Sequence, residues 1–459
     1  MNTSYLREQL AHQVAGEVLD GADPAAAAET AGFNTSITHR PAVVVTARSA
    51  ADVAAAVRAA GDAGLKVTVQ ATGHGAAASA EGTVFVSTKA MRALHVDPAT
   101  RVARVEAGVR WREVIDAAAP HGLAPLSGSS SGVGVVGYTL GGGMGHLGRR
   151  HGFAADRVRA IELVTAAGEV TTVTAQSDSD LFWALRGGQG SFGIVTALEF
   201  DLVSVPHFYG GALFFTGADI EPVLRAFGAW APTLPEEVTT SVALLRLPPS
   251  DDVPPPLRGT VSLALRFGFG GAPAEGAALL APMRAVTTPV LDSIGPMSYA
   301  EVDRIHMDPT EPMPAVTRGT LLTGLPADLL DALLAVAGPG VDVPLALVEL
   351  RLMGGALARQ ATIPNAVAGR DGAFALTVVA PAPPPLAAVA PVVTSQVVEA
   401  MAPWTTGSSL VNFGGHGGPD SPWAPEVLDR LRRVKAAVDP SDIFGGVVSA
   451  SALAEVGAR

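Results

Sequence analysis

The chain has 459 residues, enough for two or three domains, and its 48% hydrophobic content marks it as globular rather than disordered. A formal net charge of −12, with only 31 Lys and Arg, opposes binding to nucleic acid or an anionic membrane, whose phosphates need a basic surface. Cysteine is absent, which excludes disulfides, thiolate metal sites and any cysteinyl cofactor link.

Arg7 and Glu8 stand where a secretory signal would need an apolar core, so the expected location is the cytoplasm. Residues 1–40 predict a helix, a loop and an edge segment. The run PAVVVTA at 41–47 predicts a strand, after which Ser49 or Asp52 caps a helix that runs through Ala63 and stops at Gly64. Next comes VTVQATGHG at 67–75, a β-branched strand ending in a Gly-flanked His74. That pattern delivers one imidazole on a tight turn and lets backbone N–H groups approach anionic oxygens. Short strands follow at 82–87 and 102–105, then a helix over 108–119 with Trp111 and Val114 on one face. A second glycine-rich stretch, GSSSGVGVVGYTLGGGMG at 128–145, reads as a loop, and with the first it suggests a cradle for a phosphate-bearing cofactor. Strands at 160–165 and 170–174 form a hairpin across Ala167-Gly168. A short capped helix spans 177–185, with Asp178 and Asp180 in its first turn, and a third glycine loop at 187–193 leads into a strand at 194–203.

From Pro206 the composition changes. Strands are predicted at 212–216, 240–247, 260–268, 344–352 and 373–379, with helices at 221–230, 274–284 and 326–337 between them. This mixture reads as an α+β region with antiparallel pairing. The tail predicts a strand at 410–413 and a helix near 426–438. The charge-poor run 374–393 carries Pro381, Pro383, Pro384, Pro385 and Pro391, which bar a membrane-spanning helix. Neither a Walker loop nor an H-E-x-x-H occurs, no glycine loop fits the dinucleotide fingerprint, and His146 with His151 reads as local polar structure rather than a metal pair.

Six blocks in order carry a family resemblance: TGHG at 72–75, the glycine-rich stretch 128–145, LFWALRGGQGSFGIVT at 181–196, VELRLMGGALAR at 348–359, VNF at 411–413 and VKAAVDPSDIF at 434–444. The chain resembles the flavoproteins of the vanillyl-alcohol oxidase superfamily, with its PCMH-type FAD-binding domain, and within it the berberine-bridge-enzyme-like group. The resemblance implies an α+β, two-domain fold. Residues 1–205 and 405–459 would hold FAD, and residues 206–404 would form a substrate domain on an antiparallel sheet flanked by helices. It places His74 where the family bonds covalently to the flavin 8α-methyl. Ser130 stands at the position of a second, cysteinyl link, so attachment is expected through His74 alone. Gln70, Ala71, Thr72, Gly73 and Gly75 would bracket the pyrophosphate together with Gly128, Ser129, Ser130 and Gly134. Gly137, Gly143 and Asn412 join the expected cofactor contacts, Tyr138 falls near the pyrimidine edge, and Gly193, Ile194 and Val195 would meet the adenine end. Val133 occupies the oxygen-gate position, where a small side chain accompanies oxidase behaviour; simple packing is the other reading.

Two departures bear on chemistry. Leu410 stands where relatives commonly carry a tyrosine, and Val447 and Ser449 replace an Asn-x-Asn near the flavin edge. For a replacement base, period-2 alternation in LALVELRL puts Glu349 and Arg351 on one face, opposite Val348 and Leu350. In this superfamily such a sheet roofs the flavin, so Glu349 becomes a candidate base whose pKa burial would raise, an ion-paired or solvated strand face being the alternative. Arg246 and Arg266 are candidates for a substrate carboxylate or phenolate, or for pairing with Glu349, and His416 is a second candidate base. The expected activity is an FAD-linked oxidase that removes a hydride from a C–H next to O or N of a small molecule, a secondary metabolite for instance, with dioxygen as acceptor. A non-redox cyclase or binding scaffold that retains FAD structurally is the alternative. A monomer or homodimer is expected.

Overall fold

Local signals set the first layer. Ser49 accepts a hydrogen bond from Asp52 N at 3.2 Å, and Gly64, at φ +66°, closes the helix Ala50–Ala63. Val53, Ala56, Val57 and Ala60 bury one face of that helix against the strands Val43–Thr46, Val67–Gln70 and Val84–Ser87. These strands pair in parallel, with Val18–Asp20 added antiparallel at the edge. The computed structural model describes residues 3–76, 78–414, 421–446 and 448.

A second sheet, antiparallel throughout, runs in the order Leu94–Asp97, Val102–Glu106, Ile194–Asp201, Val158–Val164, Val170–Val173. A third has eight strands. Its order is Leu291–Asp292, Phe208–Thr216, Val261–Phe269, Val238–Arg246, Leu347–Leu352, Phe374–Pro381, Ala315–Leu322, with Gly295–Met297 also on the Phe208–Thr216 strand. One face of this sheet is covered by the helices Ile220–Trp230, Pro273–Arg284, Ala327–Ala337 and Ala390–Ala400, through a core that includes Phe227, Leu330, Leu350 and Val397. The other face looks toward the glycine-rich segments.

The structure departs from the sequence expectations at several places. Residues 135–140 of the second glycine stretch form a helix, Val135–Leu140, with Gly134 at its N-cap; Val135, Val136 and Leu140 have apolar packing to bury, which a loop reading ignores. The helix expected at 177–185 spans Ser179–Leu185, and Asp178 is its N-cap, accepting from Leu181 N at 3.0 Å, rather than a first-turn residue. The strand Ala315–Leu322 was not expected, because Gly319 interrupts its pattern. A Cβ there would lie 2.6 Å from Phe413 O, so the glycine admits the tail's backbone. The strand expected at 410–413 is a turn in which Phe413 N and Gly414 N both donate to Leu410 O, and Leu410 packs on Leu321 instead of joining a sheet.

The tail returns to the first sheet. Val67 N donates to Ile443 O at 2.8 Å, and Ile443 enters the apolar cluster of that sheet. The helix Pro425–Val438 supplies buried Lys435, whose Nζ donates to Asp439 Oδ2 at 2.6 Å, Ser191 O at 2.8 Å and Gly445 O at 3.1 Å. Asp439 also accepts from Ile443 N and Phe444 N, so one buried pair joins the third glycine loop to the tail. Lys435→Met strands the Asp439 carboxylate, and the expected loss is roughly 3–5 kcal/mol of unfolding free energy. Urea titration reads this as a lower midpoint at unchanged slope; a midpoint equal to wild type refutes the role.

Candidate functional site

The sheet's alternation creates a polar patch on its helix-free face. Along Leu347–Leu352, Val348 and Leu350 enter the apolar core, and Glu349 and Arg351 point the other way. Register aligns Arg351 with Ser241, and Ser241 with Arg266, across three adjacent strands. Glu349, one pleat away, is 1% exposed and held at both oxygens. Oε1 accepts from Arg266 Nη1 at 2.6 Å and Ser241 Oγ at 2.7 Å, and Oε2 accepts from Arg351 Nε at 2.7 Å. His306 Nε2 lies 3.3 Å from Oε1 without reaching hydrogen-bond geometry.

Burial alone would raise the Glu349 pKa, but the Arg351 and Arg266 guanidiniums hold it well below the usual carboxylate range. The expectation of a carboxylate tuned upward is therefore corrected: Glu349 stays ionised and organises two arginines. Arg246 is corrected as well. It shares the face of Val242 and Leu244, and its Nη2 donates to the carbonyls of Ala337, Gly338 and Val341, away from the patch. Arg266 is the arginine that pairs with Glu349.

Opposite the patch lies the segment after Gly143. His146 faces His306 with ring centroids 4.9 Å apart, and both are buried. Burial, reinforced by Arg351, pushes the His146 pKa down to about 3. His306 is held well below 6.5 by burial and then by Arg266 and Arg351. Both imidazoles are neutral at pH 7, and His146 Nε2 and both His306 ring nitrogens find no hydrogen-bond partner among the described residues. A cavity of about 20 Å³ lies here, lined by His146, Ser241, Arg266, His306 and Arg351 among others, with room for one water-sized group. The sequence reading missed His306, which carries no motif, and took His146 for local structure. Arg149, close by, donates to Met353 O, Pro235 O, Val238 O and Leu234 O, riveting the helix Gly148–His151 to the sheet.

His74 sits at the turn after Val67–Gln70, stacked on Phe33 at 4.1 Å between centroids and 12° between planes. Burial, then the charge of Arg110, lowers its pKa to about 4. Its Nδ1 meets Thr72 Oγ1 at 2.9 Å, and Gly134 N donates to the same hydroxyl at 3.4 Å, which joins the first two glycine segments. Gln70 is occupied locally, its side chain bridging Thr30 O and His39. Gly73 has φ +69° and touches Gly32. A Cβ at Gly75 or Gly137 would meet nothing within 4 Å, so open space adjoins the backbone there.

Gly128 and Gly143 are instead explained by Tyr138, whose ring a Cβ would approach to 2.9 and 2.4 Å. The Tyr138 hydroxyl is buried without a partner among the described residues, and burial raises its pKa well above 10. Ser129 and Ser130 are half-buried, Ala71 lies beside Gly134, and the Val133 carbonyl accepts from Trp111 N at 3.1 Å. Ile194 and Val195 are buried strand residues paired with Val164 and Leu163, so only their backbone edge could meet a ligand. Asn412 Nδ2 donates to Tyr138 O at 2.9 Å. His416, Val447 and Ser449 lie outside the described residues. A neutral imidazole with a lone pair, open space beside glycine backbone and an unpartnered tyrosine hydroxyl together fit a covalently held flavin nucleotide. Among the described residues no cluster suits a metal ion, and no helix is long and apolar enough to cross a membrane.

The depressed histidines predict a pH dependence. In the unfolded chain an imidazole titrates near 6.5, but folded His74 and His151 titrate near 4 and His146 near 3. Between those values the unfolded state binds more protons, so stability is complete above about pH 6.5 and declines as pH falls toward 4. Urea midpoints across that range check the decline, and His146→Asn is expected to make it shallower.

Residues 41–174 match the protein family described as an FAD binding domain. The (R)-6-hydroxynicotine oxidase of Paenarthrobacter nicotinovorans is 31% identical over 280 residues, covering 59% of this chain and 58% of that protein. An FAD-dependent monooxygenase, prx3, of Penicillium roqueforti is 35% identical over 195 residues, 42% of this chain and 38% of that one. The chain thus matches less than two thirds of the length of these curated relatives. The crystal structure of 6-hydroxy-D-nicotine oxidase from Arthrobacter nicotinovorans superposes with a TM-score of 0.82 at 25% identity, covering 94% of this chain and 96% of that one. The chain carries an FAD-binding domain and is built on the fold of the vanillyl-alcohol oxidase, PCMH-type superfamily of flavoenzymes.

Proposed function

We propose that this chain is an FAD-linked oxidase that removes a hydride from a C–H next to O or N of a small molecule and passes the electrons to dioxygen, releasing hydrogen peroxide. Each turnover takes a hydride and a proton from the substrate and two electrons and two protons reach dioxygen. Bound FAD supplies the two-electron chemistry. The observation that carries the reading is the FAD-binding domain over residues 41–174, with neutral His74 at the tip of its first glycine turn.

In this reading His74 holds the cofactor covalently and alone, because Ser130 cannot form a thioether. The backbone of 71–75 and 128–134 faces its phosphates, and Tyr138 and Asn412 shape the far side of the cleft. The patch of Glu349, Arg266 and Arg351 faces the substrate. Arg351 orients it, and Glu349 fixes both guanidiniums in place. Leu410 offers no proton, which favours substrates whose oxidation needs little base help, such as amines and electron-rich phenols. A cytoplasmic monomer or homodimer completes the reading, and size-exclusion chromatography and cell fractionation test that part.

The purified protein is expected to be yellow, with its flavin in the pellet after acid precipitation. His74→Ala is expected to release the flavin to the supernatant and to hold FAD more than tenfold more weakly. Anaerobic mixing with secondary arylamines and phenols is expected to bleach the oxidised-flavin band for at least one compound. A folded, colourless protein that takes up no added FAD overturns the reading.

A further inference from the structure

The polar patch is electrically unbalanced. Two guanidiniums face one carboxylate in a setting where Arg266 is 3% and Glu349 1% exposed at their side chains. Both oxygens of Glu349 are already taken. Arg266 completes its contacts on His306 O at 3.3 Å, and the one Arg351 nitrogen engaged with Glu349 is Nε. The terminal nitrogens of Arg351 donate to no described residue, and its guanidinium lies 5.1 Å over the Phe413 ring. Asp308 acts on Arg351 through space and forms no ion pair with it among the described residues. His146 and His306 add no compensating charge. Both are buried at the cavity that Arg351 also lines, and among the described residues His146 Nε2 and the two His306 ring nitrogens have no hydrogen-bond partner, His306 Nε2 lying 3.3 Å from Glu349 Oε1.

We propose that this cavity is a subsite for the carboxylate of an organic-anion substrate, with Arg351 as its anchor and the His146 and His306 rings as its walls and N–H donors. Arg351, 12% exposed at its side chain, shares the one carboxylate of Glu349 with Arg266, so its charge is only partly compensated, and an arriving carboxylate completes the compensation while a neutral group does not. The guanidinium edge that donates to no described residue is planar and two-pronged, which matches the two oxygens of a carboxylate. A neutral imidazole keeps one N–H to donate, so each histidine adds one further hydrogen bond to an anionic oxygen. The enclosed volume of about 20 Å³ takes only the tip of the head group, so the rest of the ligand extends out of the cavity. Nothing else in the patch distinguishes ligands so sharply by charge.

The proposal rests on the oxidase reading for what happens to the bound anion, but not for binding itself. Calorimetric titration of the holoprotein with sodium formate and sodium benzoate, at constant ionic strength, tests it, with formamide and benzamide as neutral counterparts. The visible flavin spectrum is recorded alongside. The carboxylates are expected to bind saturably, at least tenfold more tightly than the amides. Arg351→Met is expected to weaken them at least tenfold, and Arg351→Lys is expected to fall between. Thermal melting of both variants confirms that each is folded. Amides binding as well as carboxylates, no carboxylate binding at all, or a folded Arg351→Met that binds as wild type would each overturn the subsite. A protein that binds benzoate yet holds no flavin defeats the oxidase reading and leaves the subsite standing.

Discussion

The buried charge cluster around Glu349 constrains everything near it. A carboxylate removed from water is tolerable only where geometry and hydrogen bonds replace its hydration, and here two guanidiniums and a serine hydroxyl do so. The register of three antiparallel strands brings those partners together, so the pairing of the sheet and the electrostatics of the patch are one design. Shift any of these strands by one residue and its own contribution to the cluster turns to the helix-covered face. Burial, reinforced by the two arginines of the cluster, keeps two facing histidines uncharged, which leaves their nitrogens available as donors and acceptors rather than as cations.

The cofactor side follows a different logic. His74 owes its neutrality to burial and to a nearby arginine, and its position to a short parallel strand ending in a glycine turn. Thr72 then ties that turn to Gly134. Tyr138 is the hinge of the second segment, since Gly128 and Gly143 have no side chain because its ring fills their space. What looks in the sequence like one long flexible cradle is a short helix and two close-packed turns.

Much of this was legible in the residues. Capping serine and glycine bounded the helix Ala50–Ala63, and alternation alone placed Glu349 and Arg351 together. The six motif blocks pointed to the fold that the superposition bears out. What was not legible depends on contacts between distant segments. The strand Ala315–Leu322 carries a glycine because the tail's backbone leans on it, and no local pattern shows that. Arg246 and Arg266 look alike in one dimension, and only strand parity separates the arginine that binds carbonyls from the one that binds Glu349. Burial did bring Glu349 out of water as the sequence suggested, but its shift runs downward because the arginines outweigh desolvation. His306, between apolar Ile305 and Met307, gives no warning of its partner across the cavity.

The return of the tail to the first sheet has a bearing on how the chain is made. Lys66 and Asp442 are 376 residues apart yet pair at 3.0 Å, and the adjacent Val67 and Ile443 share a backbone hydrogen bond. That sheet therefore lacks one of its neighbours until some 376 further residues have been made. Closing so long a loop is slow, because its entropy is lost before any contact repays it. Until Ile443 is made, the apolar cluster of that sheet lacks one of its members.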